Sequence, residues 1–294
     1  MIEGLVLKGI GGFYYVETLE GIYECSARGK FRKNNISPFP GDHVQIIVEG
    51  DKKGVIDSIL PRKNFLVRPS VANIDNLFVV ASFADPFPDT VVIDKTLVVA
   101  EINHINSYVI ITKKDLCDDQ RKLENLKEIY RKAKIPCLCL STQSGQGLDE
   151  IRSVLNGKTS VLTGNSGVGK STLLNSLFKD FQLQTGEISQ KLGRGRHTTR
   201  QVELYKIGQG SYVADTPGFS TFDVAKYQLT DFEDLFHGFR EFADYFGHCK
   251  FTSCSHTCEK GCAVIQAVQE GYISPSRHQS YKAIYQEIKD NKPW

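Results

Sequence analysis

The sequence lacks long apolar runs and lacks a charge excess of either sign. Its most apolar stretches, such as Leu77–Ala81, fall far short of the ~20 residues needed to span a bilayer, so no membrane partner is expected. Met1–Ile10 lacks the basic start and long apolar core of a secretion signal. The formal net charge is +2, from 36 Lys and Arg against 34 Asp and Glu. Bulk charge therefore gives no general attraction to polyanions, and any nucleic-acid contact must come from local basic patches. The eight cysteines lack the even spread of a disulfide framework. Four of them crowd with one histidine into Cys249–Cys262. A reduced, cytoplasmic chain with one metal site accounts for this distribution. The 294 residues suffice for two or three domains, and a monomer is expected.

What is present centres on Gly164-Asn165-Ser166-Gly167-Val168-Gly169-Lys170-Ser171. This stretch fits G-x-x-x-x-G-K-[ST], in which backbone N–H groups cradle phosphates. Lys170 is expected to reach the β- and γ-phosphates, and the Ser171 hydroxyl to hold Mg²⁺. Thr159–Thr163 reads as the strand before the loop and Ser171–Phe178 as the helix after it.

Residues 1–68 carry five short strand-like runs separated by Gly11-Gly12, Glu20-Gly21, Pro40-Gly41-Asp42 and Lys52-Lys53-Gly54. They predict a small β-barrel of the OB type. Its basic loop Arg28-Gly29-Lys30-Phe31-Arg32-Lys33 suits an RNA surface, and a solvated charged loop explains it equally well. Pro61–Asn73 reads as a linker. Residues 69–222 then alternate strands and helices, predicting a doubly wound α/β domain with ligands at the carboxyl ends of strands. One helix, Asp118–Ala133, places Leu123, Leu126, Ile129, Tyr130 and Ala133 on one face.

Two strand ends in that domain carry candidate base-recognition segments. Thr112-Lys113-Lys114-Asp115 matches Asn-Lys-x-Asp, whose Asp accepts from guanine N1 and N2 while the Lys stem lies along the base. Thr112 in place of Asn loses one side-chain partner. Ser141-Thr142-Gln143-Ser144-Gly145-Gln146-Gly147-Leu148 matches the segment whose backbone approaches guanine O6. Asp215-Thr216-Pro217-Gly218, after the strand-like Tyr212-Val213-Ala214, fits D-x-x-G. There Asp215 is expected to reach Mg²⁺ through water and Gly218 to touch the γ-phosphate. Gly193–Arg200 reads as a basic switch loop. Thr198 or Thr199 in it is available for Mg²⁺, with Thr199 preferred. In Ras-like order the phosphate loop comes first. Here the guanine segments precede it, as circular permutation would arrange.

Residues 223–294 predict a helical module around the cysteine cluster, with helices over Thr230–Tyr245, Ile265–Glu270 and Ser276–Lys289. Cys249, Cys254, Cys258, Cys262 and His256 offer five donors where tetrahedral Zn²⁺ takes four. Thiolate with imidazole favours zinc, in a structural role.

Taken together, Thr112–Asp115, Gly164–Ser171 followed by Thr172, Gly195-Arg196-His197-Thr198-Thr199, Asp215–Gly218 and Cys249…Cys254-Ser255-His256…Gly261-Cys262 resemble the circularly permuted GTPase family RsgA (YjeQ/YloQ) over nearly the full length. The resemblance implies an OB barrel, a permuted GTPase domain and a zinc module. It also implies GTP hydrolysis to GDP in late maturation of the small ribosomal subunit, stimulated by that subunit, with its rRNA as the partner of the two flanking domains. It places the zinc ligands at Cys249, Cys254, His256 and Cys262 and leaves Cys258 spare. Phe219 stands where Ras-type enzymes carry a water-orienting Gln, so intrinsic hydrolysis should be slow. His197 is the nearest replacement, and the resemblance points the same way. The alternatives are an RNA-binding switch that barely turns over and a general ATPase, the latter opposed by Asp115.

Overall fold

The computed structural model describes residues 1–29, 31, 36–85, 87–117, 119–180, 202–215 and 231–291. The chain divides into two compact units, the first comprising Met1–Asn76, Arg152–Leu162 and Leu177–Pro217, the second Leu77–Ile151, Thr163–Ser176 and Gly218–Trp294.

In the first unit, β1 (Ile2–Ile10), β2 (Phe13–Thr18), β3 (Gly21–Ala27), β4 (His43–Gly50) and β5 (Lys53–Ile59) form a closed barrel in the order β1-β2-β3-β5-β4. The β4 strand pairs back onto β1, and β3 pairs with β5 in parallel. This is the OB arrangement expected from the turn spacing. Side chains two apart point the same way along a strand. The barrel interior is accordingly filled by Val6, Val16, Tyr23, Cys25, Val44, Ile46 and Ile56, and Phe31 packs in the same cluster. The expected linker is partly a hairpin instead, β6 (Phe65–Val67) against β7 (Ser70–Ala72). Leu66 and Val71 are buried, and Asn64 Oδ1 accepts from the Ile74 N–H at 2.8 Å. Three-residue strands are too short to show a period, and side-chain bonds from Asn64 and Asn73 hold the pair in place. The same unit contains β11 (Thr159–Thr163, through Leu162), β12 (Leu204–Gly208) and β13 (Ser211–Asp215). The β13 strand runs parallel to β11 and antiparallel to β12.

In the second unit β8 (Asn76–Ser82, from Leu77), β9 (Asn106–Thr112) and β10 (Cys137–Cys139) are neighbours in the order β10-β9-β8. Every residue of β8 is buried, as a strand covered on both faces requires. Helices α1 (Thr90–Ile102), α2 (Gln120–Lys132), α3 (Leu148–Leu155, through Ile151) and α4 (Lys170–Asp180, through Ser176) follow the strands. The α2 stripe packs as expected: Leu123, Tyr130 and Ala133 are fully buried and Ile129 is partly so. Asp89 caps α1, accepting from the Val91 N–H at 3.0 Å.

The C-terminal helices are α5 (Phe232–His237), α6 (Ala263–Gln269) and α7 (Pro275–Asn291). The single helix expected over Thr230–Tyr245 is broken: beyond α5, residues Arg240–Tyr245 form a 3-10 segment. At the break, a Cβ on Gly238 would meet Val98 Cγ1 at 2.5 Å. Phe239 turns inward, its ring centroid 5.1 Å from Phe242 and 5.4 Å from Tyr281. Core packing overrides helix continuity there. Tyr281, Ile284 and Ile288 of α7 are buried in this core, and Val98 of α1 joins them.

Candidate functional site

The phosphate-loop motif lies between β11 and α4, with α4 beginning at Lys170. A helix N-terminus here presents unpaired N–H groups to an anion. Gly164 has φ +148°, and a Cβ on it would lie 2.1 Å from the Val80 carbonyl oxygen. Only glycine allows the loop so close to β8. Lys170 Nζ donates to the carbonyls of Gly164 and Asn165, at 2.6 and 2.9 Å. The ammonium thus sits over the loop it is expected to serve. Val168 is buried at 3%, while Ser166, Gly167, Ser171 and Thr172 are exposed on the open side.

Thr112 is buried at 2% at the end of β9. Its hydroxyl lies 2.5 Å from the Val168 carbonyl and 3.2 Å from that of Ala81. The side chain that replaces Asn therefore ties the base-recognition strand to the phosphate loop and to β8. Sequence reading missed this tether, because carbonyl partners leave no residue-type signature. Lys113 holds a left-handed backbone, φ +57°, and its Nζ donates to the Asp85 carbonyl at 3.0 Å. Lys114 and Asp115 lie in a 3-10 turn, with the Asp115 carboxylate exposed. The Lys114 N–H donates to the Leu140 carbonyl at 3.1 Å, which joins this turn to the segment after β10. There Ser141 is buried, its Oγ accepting from the Ser144 N–H at 3.3 Å. Thr142 is half-exposed. The second unit thus brings together Thr112–Asp115, Ser141–Leu148 and Gly164–Ser171.

Asp215 ends β13, paired with Leu162, which is two residues ahead of Gly164 in the chain. His197, Thr198, Thr199, Gly218 and Phe219 lie outside the described residues.

The second centre is the cysteine cluster. The ligand atoms of Cys249, Cys254, His256 and Cys262 all lie within 4.8 Å of one another. Cys249 Sγ and Cys262 Sγ each lie 3.5 Å from His256 Nδ1, and the two sulfurs are 3.9 Å apart. Tetrahedral Zn²⁺, with Zn–S ≈ 2.3 Å and Zn–N ≈ 2.0 Å, puts such atoms at about 3.8 and 3.5 Å. The donor set fits zinc and presents Nδ1 of the imidazole. Burial pushes the Cys254 thiol up to about 12, raises that of Cys262 and lowers His256. The imidazole is therefore in its neutral, ligating form, and a metal must displace thiol protons. Cys258 is exposed and is not one of the four.

Glu259 shapes this loop, and nothing in the sequence pattern singled it out. Its carboxylate accepts from the N–H groups of Ser255, Thr257 and Cys258 at 2.8, 3.1 and 3.1 Å, and from the Ser255 hydroxyl. Burial alone would raise its pKa, yet these bonds hold it down at about 2. They brace the turn in which His256 takes φ +58°. His278 and Tyr281 of α7 bond to the His256 and Ser255 carbonyls at 2.7 and 3.1 Å.

A buried triad fastens this module to α1. Arg277 is 1% exposed. It donates to Asp94 at 2.8 Å and to Glu241 at 2.7 and 3.1 Å, with its guanidinium 4.4 Å from the Phe239 ring centroid. Burial alone would lower the Arg277 pKa; the two carboxylates outweigh it and raise it, so the group stays charged.

A phosphate-loop motif, two candidate base-recognition segments that precede it in the chain, and an OB barrel together define a circularly permuted P-loop GTPase. The RsgA GTPase model matches residues 59–225 and the RsgA N-terminal domain model residues 3–56. The chain is 45% identical over 293 residues to the small ribosomal subunit biogenesis GTPase RsgA of Caldanaerobacter subterraneus subsp. tengcongensis, covering 99% of this chain and 97% of that one. It is 43% identical to the protein of the same name from Agathobacter rectalis, over 100% of both. The crystal structure of YjeQ from Thermotoga maritima superposes with a TM-score of 0.82 at 35% identity, over 99% of both chains. That of YloQ, described as a circularly permuted GTPase, superposes with a TM-score of 0.81 at 34% identity, over 100% of this chain and 97% of its own. The chain belongs to the RsgA family of GTP hydrolases.

Proposed function

We propose that the chain binds the small ribosomal subunit, assists its late maturation and hydrolyses GTP to GDP and phosphate when the subunit stimulates it. The reading rests on membership of a family whose relatives carry the name small ribosomal subunit biogenesis GTPase. The Thr112 tether supports it: one hydroxyl joins the guanine-recognition strand to the phosphate loop. Base recognition and phosphate binding are thereby linked in one unit.

In this reading the Gly164–Ser171 N–H groups, with Lys170 and Thr172, hold the phosphates. Asp115 selects guanine, flanked by Thr112, Lys113 and Lys114 and by the backbone at Ser141 and Thr142. Mg²⁺ neutralises the developing phosphate charge when bound, held by Ser171, Thr199 and Asp215. Gly218 senses the γ-phosphate, and His197 orients the attacking water in place of the absent Gln. Zn²⁺ at Cys249, Cys254, His256 and Cys262 is structural. The barrel (1–68) and the zinc module (223–294), which flank the GTPase domain (69–222) in sequence, grip rRNA. No helix among the described residues is long and apolar enough to cross a membrane, and the chain acts in the cytoplasm as a monomer.

Two measurements test this. Sedimentation with separated ribosomal subunits should show small-subunit binding with a non-hydrolysable GTP analogue and weaker binding with GDP; equal binding in both states defeats the switch. Steady-state phosphate release should rise on adding small subunits and lose that rise in His197→Ala. Stimulated turnover that survives the substitution removes His197 from the mechanism.

A further inference from the structure

The barrel holds the strand hairpin that lies, in sequence, between the basic switch loop Gly193–Arg200 and the D-x-x-G motif. In sequence, β12 and β13 fill the interval between Gly193–Arg200 and Asp215–Gly218. Glu17 of β2 reaches this hairpin with both carboxylate oxygens. Lys206 Nζ donates to Oε1 at 2.8 Å, and the Tyr212 hydroxyl to Oε2 at 2.5 Å. Lys206 lies on β12 and Tyr212 on β13, so one side chain grips both strands. A second contact runs alongside: Lys8 and Glu203 form an antiparallel β-bridge and an ion pair at 2.8 Å. The Glu17 side chain is only 19% exposed. Its bonds are therefore less screened than an ordinary surface pair. Tyr212 is itself registered opposite Thr159, and Asp215, three residues on, opposite Leu162. Three strand residues span about 10 Å, so a shift at Tyr212 is carried along a rigid strand to Asp215.

We infer that Glu17 is a positioning residue for subunit-stimulated GTP hydrolysis, fixing the β12–β13 hairpin, and with it Asp215, against the barrel. The inference rests on the proposed function. It adds that the barrel, besides gripping RNA, sets the strand from which the D-x-x-G motif emerges. Glu17 touches neither nucleotide nor metal in this scheme and acts only through the hairpin, so its loss should lower the stimulated rate more than the unstimulated one.

The test compares wild type, Glu17→Ala, Lys206→Glu and the charge-swapped double variant E17K/K206E. Phosphate release is measured with and without small subunits. Sedimentation with a non-hydrolysable GTP analogue and amide exchange over Leu204–Asp215 in the free chain accompany it. In Glu17→Ala the stimulated rate should fall about tenfold, a common size for coupling between sites. The basal rate should fall less than the stimulated rate, subunit binding should stay near wild type, and exchange over Leu204–Asp215 should accelerate. E17K/K206E should recover most of the stimulation that Lys206→Glu loses. Unchanged exchange together with unchanged stimulation overturns the inference. So does a parallel loss of basal and stimulated rates, or a charge swap without rescue. A wild type that small subunits fail to stimulate overturns the functional reading, and the exchange measurement then judges the clamp by itself.

Discussion

The zinc-type cluster draws its four donors from one short stretch, Cys249 to Cys262. The nucleotide side draws on Val80, Thr112, Ser141 and Gly164–Lys170, scattered over much of the chain. The first is announced by residue type, because thiolate and imidazole have few other reasons to crowd into a polar loop. The second is announced only in its glycines, lysine and aspartate. Its joints are backbone carbonyls, which any residue supplies. A local site should fail locally when one donor is lost; a distributed site should fail through its joints.

The largest expected effect is at the cluster. Cys254→Ala should take zinc content from about one ion per chain to near zero and unfold the C-terminal module, since structural zinc contributes on the order of 10 kcal/mol in small domains. Elemental analysis and thermal melts check this. GTP affinity within a few-fold of wild type would sharpen the contrast, and its collapse would break it.

Next is the buried triad. Arg277→Ala leaves Asp94 and Glu241 buried without their cation, and one-sided loss of a buried pair costs roughly 3–5 kcal/mol. Denaturant unfolding should show that loss. Arg277→Met, which keeps the volume but not the charge, should be no better. Recovery of stability by the triple variant R277M/D94L/E241L would show that the penalty lies in the stranded carboxylates.

Thr112→Val tests the nucleotide side. It keeps the shape but removes the hydroxyl that serves the Val168 and Ala81 carbonyls; a buried acceptor left unpaired costs ~1–3 kcal/mol. GTP affinity by titration calorimetry should fall about tenfold, with zinc content unchanged. Unaltered affinity would mean that the loop holds its shape without the tether. The smallest effect is expected at Cys258→Ser, which should keep zinc stoichiometry and melting temperature at wild-type values, because Cys258 lies outside the four-donor set.

Much of the fold was legible from pattern. Strand β8 is a run of β-branched and apolar residues, buried along its whole length. The amphipathic α2 showed its buried face through spacing alone. The failures share a cause. The β6–β7 hairpin, in place of the expected linker, is too short for any period. The helix expected to continue through Tyr245 stops at Gly238 because Phe239 and Phe242 turn their rings into a core shared with α1 and α7. At the site, Gly164 and Lys170 stood out through the loop motif, and residue type marked a cluster of five donors that the family resemblance narrowed to four. Glu259, Arg277 and Glu17 did not, since an isolated acid or base looks the same whether it is solvated or clamped.

The sequence by itself determined the inventory: a phosphate-loop motif, a candidate guanine-recognition Asp115, a cysteine–histidine cluster, and an order of motifs that puts the candidate base-recognition segments ahead of the phosphate loop. These follow from local chemistry, in which a few residue types at fixed spacing have one efficient use. Only the tertiary structure decided how the parts are held: Thr112 on the Val168 carbonyl, Arg277 between two carboxylates, Glu17 across two strands. Each of these contacts joins residues far apart in the chain, and only the assembled fold brings such partners together.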